Sequence, residues 1–359
     1  MIDAVRTLAQ IDAAWIQYLL NEKGIETQIS KATATPIGTG QVGATYRLIL
    51  EQSGDGPDSL VAKLPSANVL SREAGKAHMT YIREARFYQQ FAGRKPLPVP
   101  VHLYIAFDDQ SHDFTLIMQD LAGYAPGNQL AFPSDMEVNH AIDAAAMIHA
   151  AWWDDPALDN MNWLNGTRAV PPQHDGDALY AMFWPAFNAR FGALVTADMR
   201  RVGDVFVGKI NDWYNGRSGP RCLVHNDYRP DNMLYDLGNP DRPLVVVDWQ
   251  TAGVGCGATD VAYYLGTALD PVQRRQTEAG LISHYCKRLS EYGGTAFDKE
   301  NVWDDYRRSA FAGFMMGVTA SMVVEQTERG DAMFLAMCER SAKMVLDHFD
   351  MAVPGNQDS

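Results

Sequence analysis

The sequence predicts an α+β protein with two lobes, a smaller N-terminal lobe built on an antiparallel sheet plus a helix and a larger, mainly helical C-terminal lobe. Three observations support this class. The chain has 359 residues, more than one compact core usually contains. Short strand signals, one of them with clear alternation, recur up to about residue 120, whereas helical segments dominate from about residue 134. One β-rich segment, residues 222–250, interrupts the helical part.

Composition narrows the class of protein. Hydrophobic residues make up 47% and charged residues 21% of the chain, as in soluble globular proteins. The net charge of −14 argues against nucleic acid or an anionic membrane surface as the main partner. The four cysteines lie far apart without a C-x-x-C pair, which indicates buried thiols rather than a zinc site or a disulfide framework. We expect a cytoplasmic protein, and no obligate protein partner is evident.

No export or membrane segment is predicted. The start, MIDAVRTLAQ, has an acidic residue and lacks the apolar run of a signal peptide. The most apolar stretch, residues 310–324, is too short and too rich in small residues to span a bilayer comfortably. We therefore expect a buried helix there.

The N-terminal lobe has strand and helix signals in alternation. Residues 11–24 show helical spacing and end at Gly24, and residues 44–51 alternate between two faces as a strand does. Further predicted elements are a strand over 59–65 that completes a hairpin, a helix over 77–93, and strands over 103–109 and 113–120.

Three glycines, Gly38, Gly40 and Gly43, form a G-x-G-x-x-G pattern. In a dinucleotide-binding unit the third glycine opens a helix, but here a strand follows and turns back through a short loop. This context disfavours a dinucleotide-dependent oxidoreductase. A glycine loop between antiparallel strands can lay backbone N–H groups over nucleotide phosphates, although an ordinary hairpin loop gives the same pattern.

A second group of polar residues lies in the β-rich segment 222–250. Asp227 lies in a polar loop, Asn232 follows five residues later, and an apolar strand then ends at Asp248. Oxygens of Asp and Asn suit Mg²⁺, and a separate Asp can orient an attacking hydroxyl. Phosphoryl transfer needs this combination. Taken singly, each residue is equally well explained as a turn former or a strand-end cap.

The sequence HNDYRPDN, together with VVVDWQ, resembles the catalytic core of the aminoglycoside phosphotransferase and choline kinase superfamily, relatives of the protein kinases. The glycine loop, the VAKL strand and the helix with Glu84 extend the resemblance over residues 36–265. E-x-x-F-Y at residues 84–88, M-Q-D-L at 118–121 and D-W-Q at 248–250 are similar to the ecdysteroid-kinase-like, or CHK-kinase-like, branch. The resemblance implies a protein-kinase-like two-lobe fold.

The resemblance also implies roles for residues that bind nucleotide. Lys63 would hold the α- and β-phosphates of ATP, and Glu84 would pair with Lys63 and fix its direction. Backbone groups of Gln119 and Leu121 would bind the adenine edge. The three glycines would form the lid over the phosphates.

Further implied roles concern the chemical step. Asp227 would be the catalytic base or orienter, and Asn232 and Asp248 would bind Mg²⁺. His225 would brace the catalytic loop, and Asp260 fits an N-terminal helix cap that ties the loop down. Two departures from relatives stand out: Asn226 replaces a common glycine, and no glycine follows Asp248.

The acceptor is expected to be the hydroxyl group of a small molecule. Only eleven residues separate Asp248 from Asp260, too few for the segment on which protein kinases dock a peptide. The tryptophans and methionines of the C-terminal lobe are explained either by a pocket for an apolar alcohol or by an ordinary hydrophobic core. The pairs of acidic residues are explained either by a cationic acceptor of the aminoglycoside or choline type or by solvated loop charges. A catalytically inactive nucleotide-binding pseudokinase is the alternative function.

These assignments predict the organisation of the chain. Residues 1–118 form the N-terminal lobe, residues 119–125 the hinge, and residues 126–359 the helical C-terminal lobe, which carries the catalytic hairpin 222–250.

Overall fold

The computed structural model describes residues 5–38, 43–164, 175–215 and 219–349. The chain divides into two compact units. Unit 1 comprises Met1–Ala125 and Val245–Ala252, and unit 2 comprises Pro126–Leu244 and Gly253–Ser359. Unit 1 is built on an antiparallel sheet and unit 2 is mainly helical, so the predicted α+β class is confirmed.

Unit 1 contains a five-stranded antiparallel sheet with the order β1-β2-β3-β5-β4. Its strands are β1 (Thr27–Pro36), β2 (Gly43–Gly54), β3 (Ser59–Pro65), β4 (His102–Phe107) and β5 (Phe114–Gln119). On β2, Leu48 and Leu50 are buried while Ile49 between them is exposed, which is the alternation that predicted the strand. Strand β1 was not among the predicted elements.

Three helices flank this sheet: α1 (Ala13–Glu22), α2 (Val69–Ala77) and α3 (Thr80–Gln90). The side chain of Asp12 caps α1 by accepting a hydrogen bond from the amide of Trp15, and Gly24 follows the helix at φ +71°. The single helix predicted over 77–93 is wrong at its start. Met79 adopts φ +58°, which no helix interior tolerates, so α2 and α3 are separate.

The segment Val245–Ala252 belongs to unit 1, whereas the sequence placed the whole hairpin 222–250 in the C-terminal lobe. Packing explains the difference. The ring of Trp249 is fully buried and stacks on that of Phe87, with ring centroids 3.9 Å apart. The indole N–H of Trp249 donates to the carbonyl of Val246, and the amide of Val246 donates to the carbonyl of Pro98.

Unit 2 contains nine helices among the described residues: α4 (Asp135–Ala151), α5 (Gly176–Phe191), α6 (Ala197–Phe206), α7 (Ile210–Asn215), α8 (Ala258–Ala268), α9 (Pro271–Glu291), α10 (Lys299–Arg308), α11 (Ala312–Val323) and α12 (Glu328–His348). The remaining short strands are β6 (Ala125–Pro126), β7 (Arg221–Val224), β8 (Met233–Tyr235), β9 (Leu244–Val246) and β10 (Gly253–Cys256). Strand β7 pairs with β10, and β8 lies between β6 and β9.

Helix α8 is the centre of unit 2, because each of its eleven residues is buried. The apolar stretch 310–324 forms α11, whose buried residues include Phe314 and Val318, as predicted for a buried helix. Within the described part of the chain, none of the helices combines the length and the hydrophobicity that crossing a membrane requires.

Candidate active site

In unit 1, the side chain of Lys63 lies between two carboxylates. Its Nζ atom is 2.7 Å from a carboxylate oxygen of Glu84, on α3, and 2.7 Å from Oδ1 of Asp248. Burial alone would lower the pKa of Lys63, but the charges and hydrogen bonds of Asp248 and Glu84 outweigh it and raise the pKa above its usual value. Lys63 is therefore held as an ammonium group in a fixed direction.

Glu84 is almost completely buried, and burial raises the pKa of its carboxyl group. The attraction of Lys63 opposes this shift, whereas the second carboxylate, Asp248, adds to it. Two carboxyl groups thus share one ammonium group, and because the pKa of Glu84 is raised to about 7, the negative charge of Glu84 is only partial near neutral pH.

Asp248 follows β9 in a left-handed conformation with φ +67°. Aspartate tolerates this region better than most residues do. Its Oδ2 atom accepts a hydrogen bond from Nε2 of Gln250 at 3.1 Å, and the stacked Trp249 fixes the next residue. The carboxylate is therefore held on a short, anchored turn.

The glycine loop lies between β1 and β2, which pair in antiparallel fashion. The amide of Ile37 donates to the carbonyl of Thr45 at 2.9 Å, and Gly38 adopts φ +74°, which favours glycine. A Cβ atom on Gly43 would lie 3.6 Å from Cε of Lys63. Gly40 lies outside the described residues.

The predicted hinge begins at the end of β5. The amide of Gln119 donates to the carbonyl of Val101, and the carbonyl of Leu121 accepts from the amide of Tyr124. Between them, the buried carboxylate of Asp120 accepts hydrogen bonds from Arg47 at 2.6 Å and from the hydroxyl of Ser59 at 2.6 Å. These bonds fix the backbone where β5 ends.

In unit 2, Asp227 and Asn232 are directly bonded. Nδ2 of Asn232 donates to both the backbone carbonyl and Oδ2 of Asp227, each at 2.8 Å. A short 3-10 helix, Pro230–Asn232, closes the loop between β7 and β8 and brings the two side chains together. The five-residue spacing seen in the sequence therefore corresponds to one compact loop.

Two residues that the sequence did not indicate contact the same carboxylate. The hydroxyl of Tyr263, on α8, donates to Oδ1 of Asp227 at 2.8 Å, and Nε of Arg229 donates to Oδ1 at 2.9 Å. Arg229 also contacts Asp231, which forms a bidentate ion pair with Arg329 of α12. Arg229 is part of the HNDYRPDN motif, but the sequence spacing did not indicate that its side chain contacts Asp227.

The backbone of the loop is held by Asp260. Its carboxylate accepts hydrogen bonds from the amides of His225 at 2.7 Å and Asn226 at 2.9 Å, and it lies 3.3 Å from Nε2 of the buried His149. Asp260 is not the cap residue of α8, because Gly257 occupies that position and Asp260 lies in the first turn. His225 is fully buried, and its ring nitrogen contacts the amide of Asp227.

The carboxyl group of Asp227 has a lowered pKa. Burial opposes this shift, but the charge of Arg229, the neighbouring His225, and hydrogen bonds from Tyr263 and Asn232 outweigh burial. Asp227 is thus a carboxylate near neutral pH, able to accept a hydrogen bond from a hydroxyl group.

Each unit carries an oxygen donor of a type that suits the expected Mg²⁺. In unit 2, Nδ2 of Asn232 donates both bonds to Asp227, which leaves its amide oxygen outside those bonds. In unit 1, Asp248 carries a carboxylate. Both are hard oxygen donors, and Mg²⁺ commonly takes one or two protein oxygens together with substrate phosphates. Within the described ranges, no group of three His, Cys, Asp or Glu residues forms an all-protein metal site.

Comparison with known proteins identifies the family. A model of the phosphotransferase enzyme family matches residues 33–297, more than half of the chain. The chain belongs to the phosphotransferase enzyme family. The matched range contains every residue described above around Lys63 and around Asp227 except Arg329. The predicted superfamily is thus confirmed at the level of the phosphotransferase enzyme family. Among curated proteins, none matches the chain.

Solved structures similar to this phosphotransferase share its fold. Plasmodium vivax ethanolamine kinase aligns with a TM-score of 0.54 and 10% identity over 93% of this chain and 88% of its own. The GDP complex of aminoglycoside 2′-phosphotransferase-IIIa aligns with a TM-score of 0.50 and 14% identity over 92% and 98%. A microcompartment-associated aminopropanol kinase aligns with a TM-score of 0.50 and 13% identity over 87% of this chain and 90% of its own. The predicted kinase-like fold is confirmed.

Proposed function

We propose that this phosphotransferase transfers the γ-phosphate of ATP to a hydroxyl group of a small molecule. The observation that carries the proposal is the loop in which Asp227 is bonded to Asn232 and held on its backbone by Asp260. This loop presents an ionised carboxylate in a fixed position, which is what the orientation of an attacking hydroxyl requires.

In this proposal, Lys63 binds the α- and β-phosphates, and Glu84 sets its direction. Backbone N–H groups of the loop with Gly38, Gly40 and Gly43 cover the phosphates. For the adenine edge, the amide of Leu121 is the donor we propose. The amide of Gln119 is already bonded to the carbonyl of Val101, so it is not the proposed donor.

Asn232 and Asp248 would hold Mg²⁺ through their oxygen atoms. When bound, the ion neutralises charge on the phosphate oxygens. Asp227 accepts a hydrogen bond from the acceptor hydroxyl and aligns its oxygen with the γ-phosphorus. Because Arg229 and Tyr263 stabilise the carboxylate and lower its basicity, Asp227 acts mainly by orientation. As the hydroxyl oxygen bonds to the γ-phosphorus, the bond from that phosphorus to ADP breaks, ADP leaves, and the hydroxyl proton is released to water.

The acceptor is proposed to be a small-molecule alcohol. Between Asp248 and Asp260 the chain forms a 3-10 turn, the short strand β10 and the start of α8, which leaves no segment for docking a peptide. The ethanolamine and aminopropanol kinases named above share this fold. An apolar alcohol, as in the ecdysteroid-kinase-like branch, and a cationic alcohol of the aminoglycoside or choline type remain the two acceptor classes to test.

Several tryptophans and acidic residues of the C-terminal lobe that could indicate the class of acceptor have structural roles instead. Trp152, Trp163 and Trp184 are buried core residues. Asp155 caps the 3-10 helix Pro156–Asn160 and Asp305 is buried, whereas their neighbours Asp154 and Asp304 are exposed. The acceptor class must therefore come from experiment.

The test is a transfer screen. The protein is incubated with ATP and Mg²⁺ against sterols, choline analogues, ethanolamine and aminoglycosides, and phosphorylated products are detected by mass spectrometry. We expect one class to be phosphorylated, and we expect Asp227→Asn to lower the rate at least about 100-fold. Omission of Mg²⁺ should abolish transfer.

Two results would contradict the proposal. Tight binding of ATP without transfer to any alcohol or to water would indicate a pseudokinase. Full activity of Asp227→Asn would show that the assigned orienting residue is wrong.

A further inference from the structure

Hydrogen bonds divide the carboxylate of Asp227 into one saturated and one open oxygen. An ionised carboxylate offers about four lone-pair sites, two on each oxygen. Oδ1 accepts from Tyr263 and from Arg229, and Oδ2 accepts from Asn232. Among the described residues, these bonds leave one acceptor site, and it lies on Oδ2.

We propose that Tyr263 is a positioning residue that, together with Arg229, occupies Oδ1 of Asp227 and directs the acceptor hydroxyl to Oδ2. This inference rests on the proposed function, because it specifies which oxygen of Asp227 orients the nucleophile. Tyr263 does not touch the reacting atoms. It acts through Asp227.

The rigid surroundings of Tyr263 suit this role. Tyr263 is 3% exposed, and every residue of α8 is buried. The hydroxyl of Thr267 donates to the carbonyl of Tyr263, and the carbonyl of Thr267 accepts from Gln129 and Arg340. These contacts hold the phenol ring in place, with its hydroxyl group within hydrogen-bond distance of Oδ1 of Asp227.

Helix α8 holds the loop at two points. Asp260 accepts from two loop amides, and Tyr263, three residues later, donates to the loop's carboxylate. Residues three apart lie on the same face of a helix, so one face fixes both the backbone and the side chain of the loop. The charged and titratable neighbours of Asp227 are Arg229 and His225 from the loop and Tyr263 from α8.

The chemistry of the phenol agrees with its role as a donor. Burial, and next the charge of Asp227, raise the pKa of Tyr263, so the proton stays on the phenol oxygen. A phenylalanine at this position would keep the ring and remove only the donor. Oδ1 would then have one open site, and a nucleophile could bind at either oxygen.

The test compares Tyr263→Phe with Tyr264→Phe, the same change at a buried neighbour on the same helix. The probe is ATP with Mg²⁺ and water as the acceptor. We expect Tyr263→Phe to lower kcat for hydrolysis about tenfold, because the nucleophile is misplaced, while KM for ATP changes less than about twofold. Tyr264→Phe should change neither constant, and melting temperatures show that both variants fold.

A spectroscopic measurement makes the inference testable without turnover. In protein labelled with ¹³C at aspartate carboxyl groups, the Asp227 signal is the one missing from Asp227→Asn. We expect this signal to move in Tyr263→Phe and to stay in place in Tyr264→Phe.

The two possible failures are distinguishable. If no alcohol is phosphorylated, the proposed function fails, yet the NMR shift still reports whether Tyr263 holds Asp227. If alcohol is phosphorylated and Tyr263→Phe keeps both its kcat and the wild-type position of the signal, the positioning role is overturned.

Discussion

Two non-glycine residues of the candidate site have left-handed backbone conformations. Asn226 adopts φ +63° and Asp248 φ +67°. At Asn226 this turn lets two successive amides, of His225 and Asn226, point at the same carboxylate of Asp260. Asparagine and aspartate reach this region at small cost, whereas branched side chains do not.

Substitutions at Asn226 should therefore follow backbone freedom. We expect Asn226→Gly to keep the wild-type stability within about 0.5 kcal/mol, and Asn226→Val to lose about 1–2 kcal/mol, with alanine between them. Urea unfolding of the three variants measures this order. Equal stability of the valine and glycine variants would show that the loop does not hold the turn.

The sequence contained part of this information. Asparagine where many relatives carry glycine is a signal for positive φ, and the five-residue spacing located Asp227 and Asn232 correctly on one loop. Tyr263 could not be predicted, because Tyr263 and Tyr264 are adjacent and only the packing of α8 decides which one faces Asp227.

Among the elements, α3 and the turn that carries Asp248 act as one support for Lys63. Glu84 and Phe87 lie one turn apart on α3. Glu84 contacts Lys63, and Phe87 stacks on Trp249, the residue after Asp248. The stacked rings thus set the spacing between the two carboxylates that hold the ammonium group.

Removing Trp249 should disturb both stability and nucleotide binding. We expect Trp249→Ala to cost about 3–5 kcal/mol, because a fully buried ring is lost, and to weaken ATP binding at least about tenfold. Urea unfolding and calorimetric titration measure the two effects. Trp153→Ala, at a partly exposed ring, is the control and should leave ATP affinity unchanged.

Element boundaries were less predictable than element types. Strand β2 follows from alternation, and β3 and β5 follow from short apolar runs. The break between α2 and α3 depends on Met79, a residue type that does not predict a left-handed turn. Likewise, the sequence predicts residues 245–252 as a continuation of the C-terminal hairpin, whereas in the structure they belong to unit 1, where Trp249 stacks on Phe87.

At the scale of the whole molecule, acid stability should depend on a buried cluster in unit 2. Glu278 of α9 contacts Arg274, Tyr306 of α10 and His348 of α12. Burial alone would raise the pKa of Glu278, but a hydrogen bond from His348, the charge of Arg274 and a hydrogen bond from Tyr306 outweigh it and lower the pKa to about 2. The cluster ties three helices together.

A carboxyl group with a lowered pKa stabilises the fold above its unfolded pKa, and this contribution is lost as the pH falls towards the folded value. Between pH 5 and pH 3, we expect the wild type to lose about 2 kcal/mol more stability than Glu278→Gln, which cannot titrate. Urea unfolding at both pH values measures the difference. Parallel losses in the two proteins would show that Glu278 does not carry the acid sensitivity.

The assignment of Val245–Ala252 to unit 1 means that the polypeptide passes from one unit to the other at three points, after residues 125, 244 and 252. A gene fragment cut after residue 125 would encode Lys63 without its aspartate partner and Phe87 without the indole that covers it. We therefore expect neither half to be an autonomous folding module. A chimera that exchanges acceptor specificity between relatives should take residues 245–252 from the same parent protein as residues 1–125.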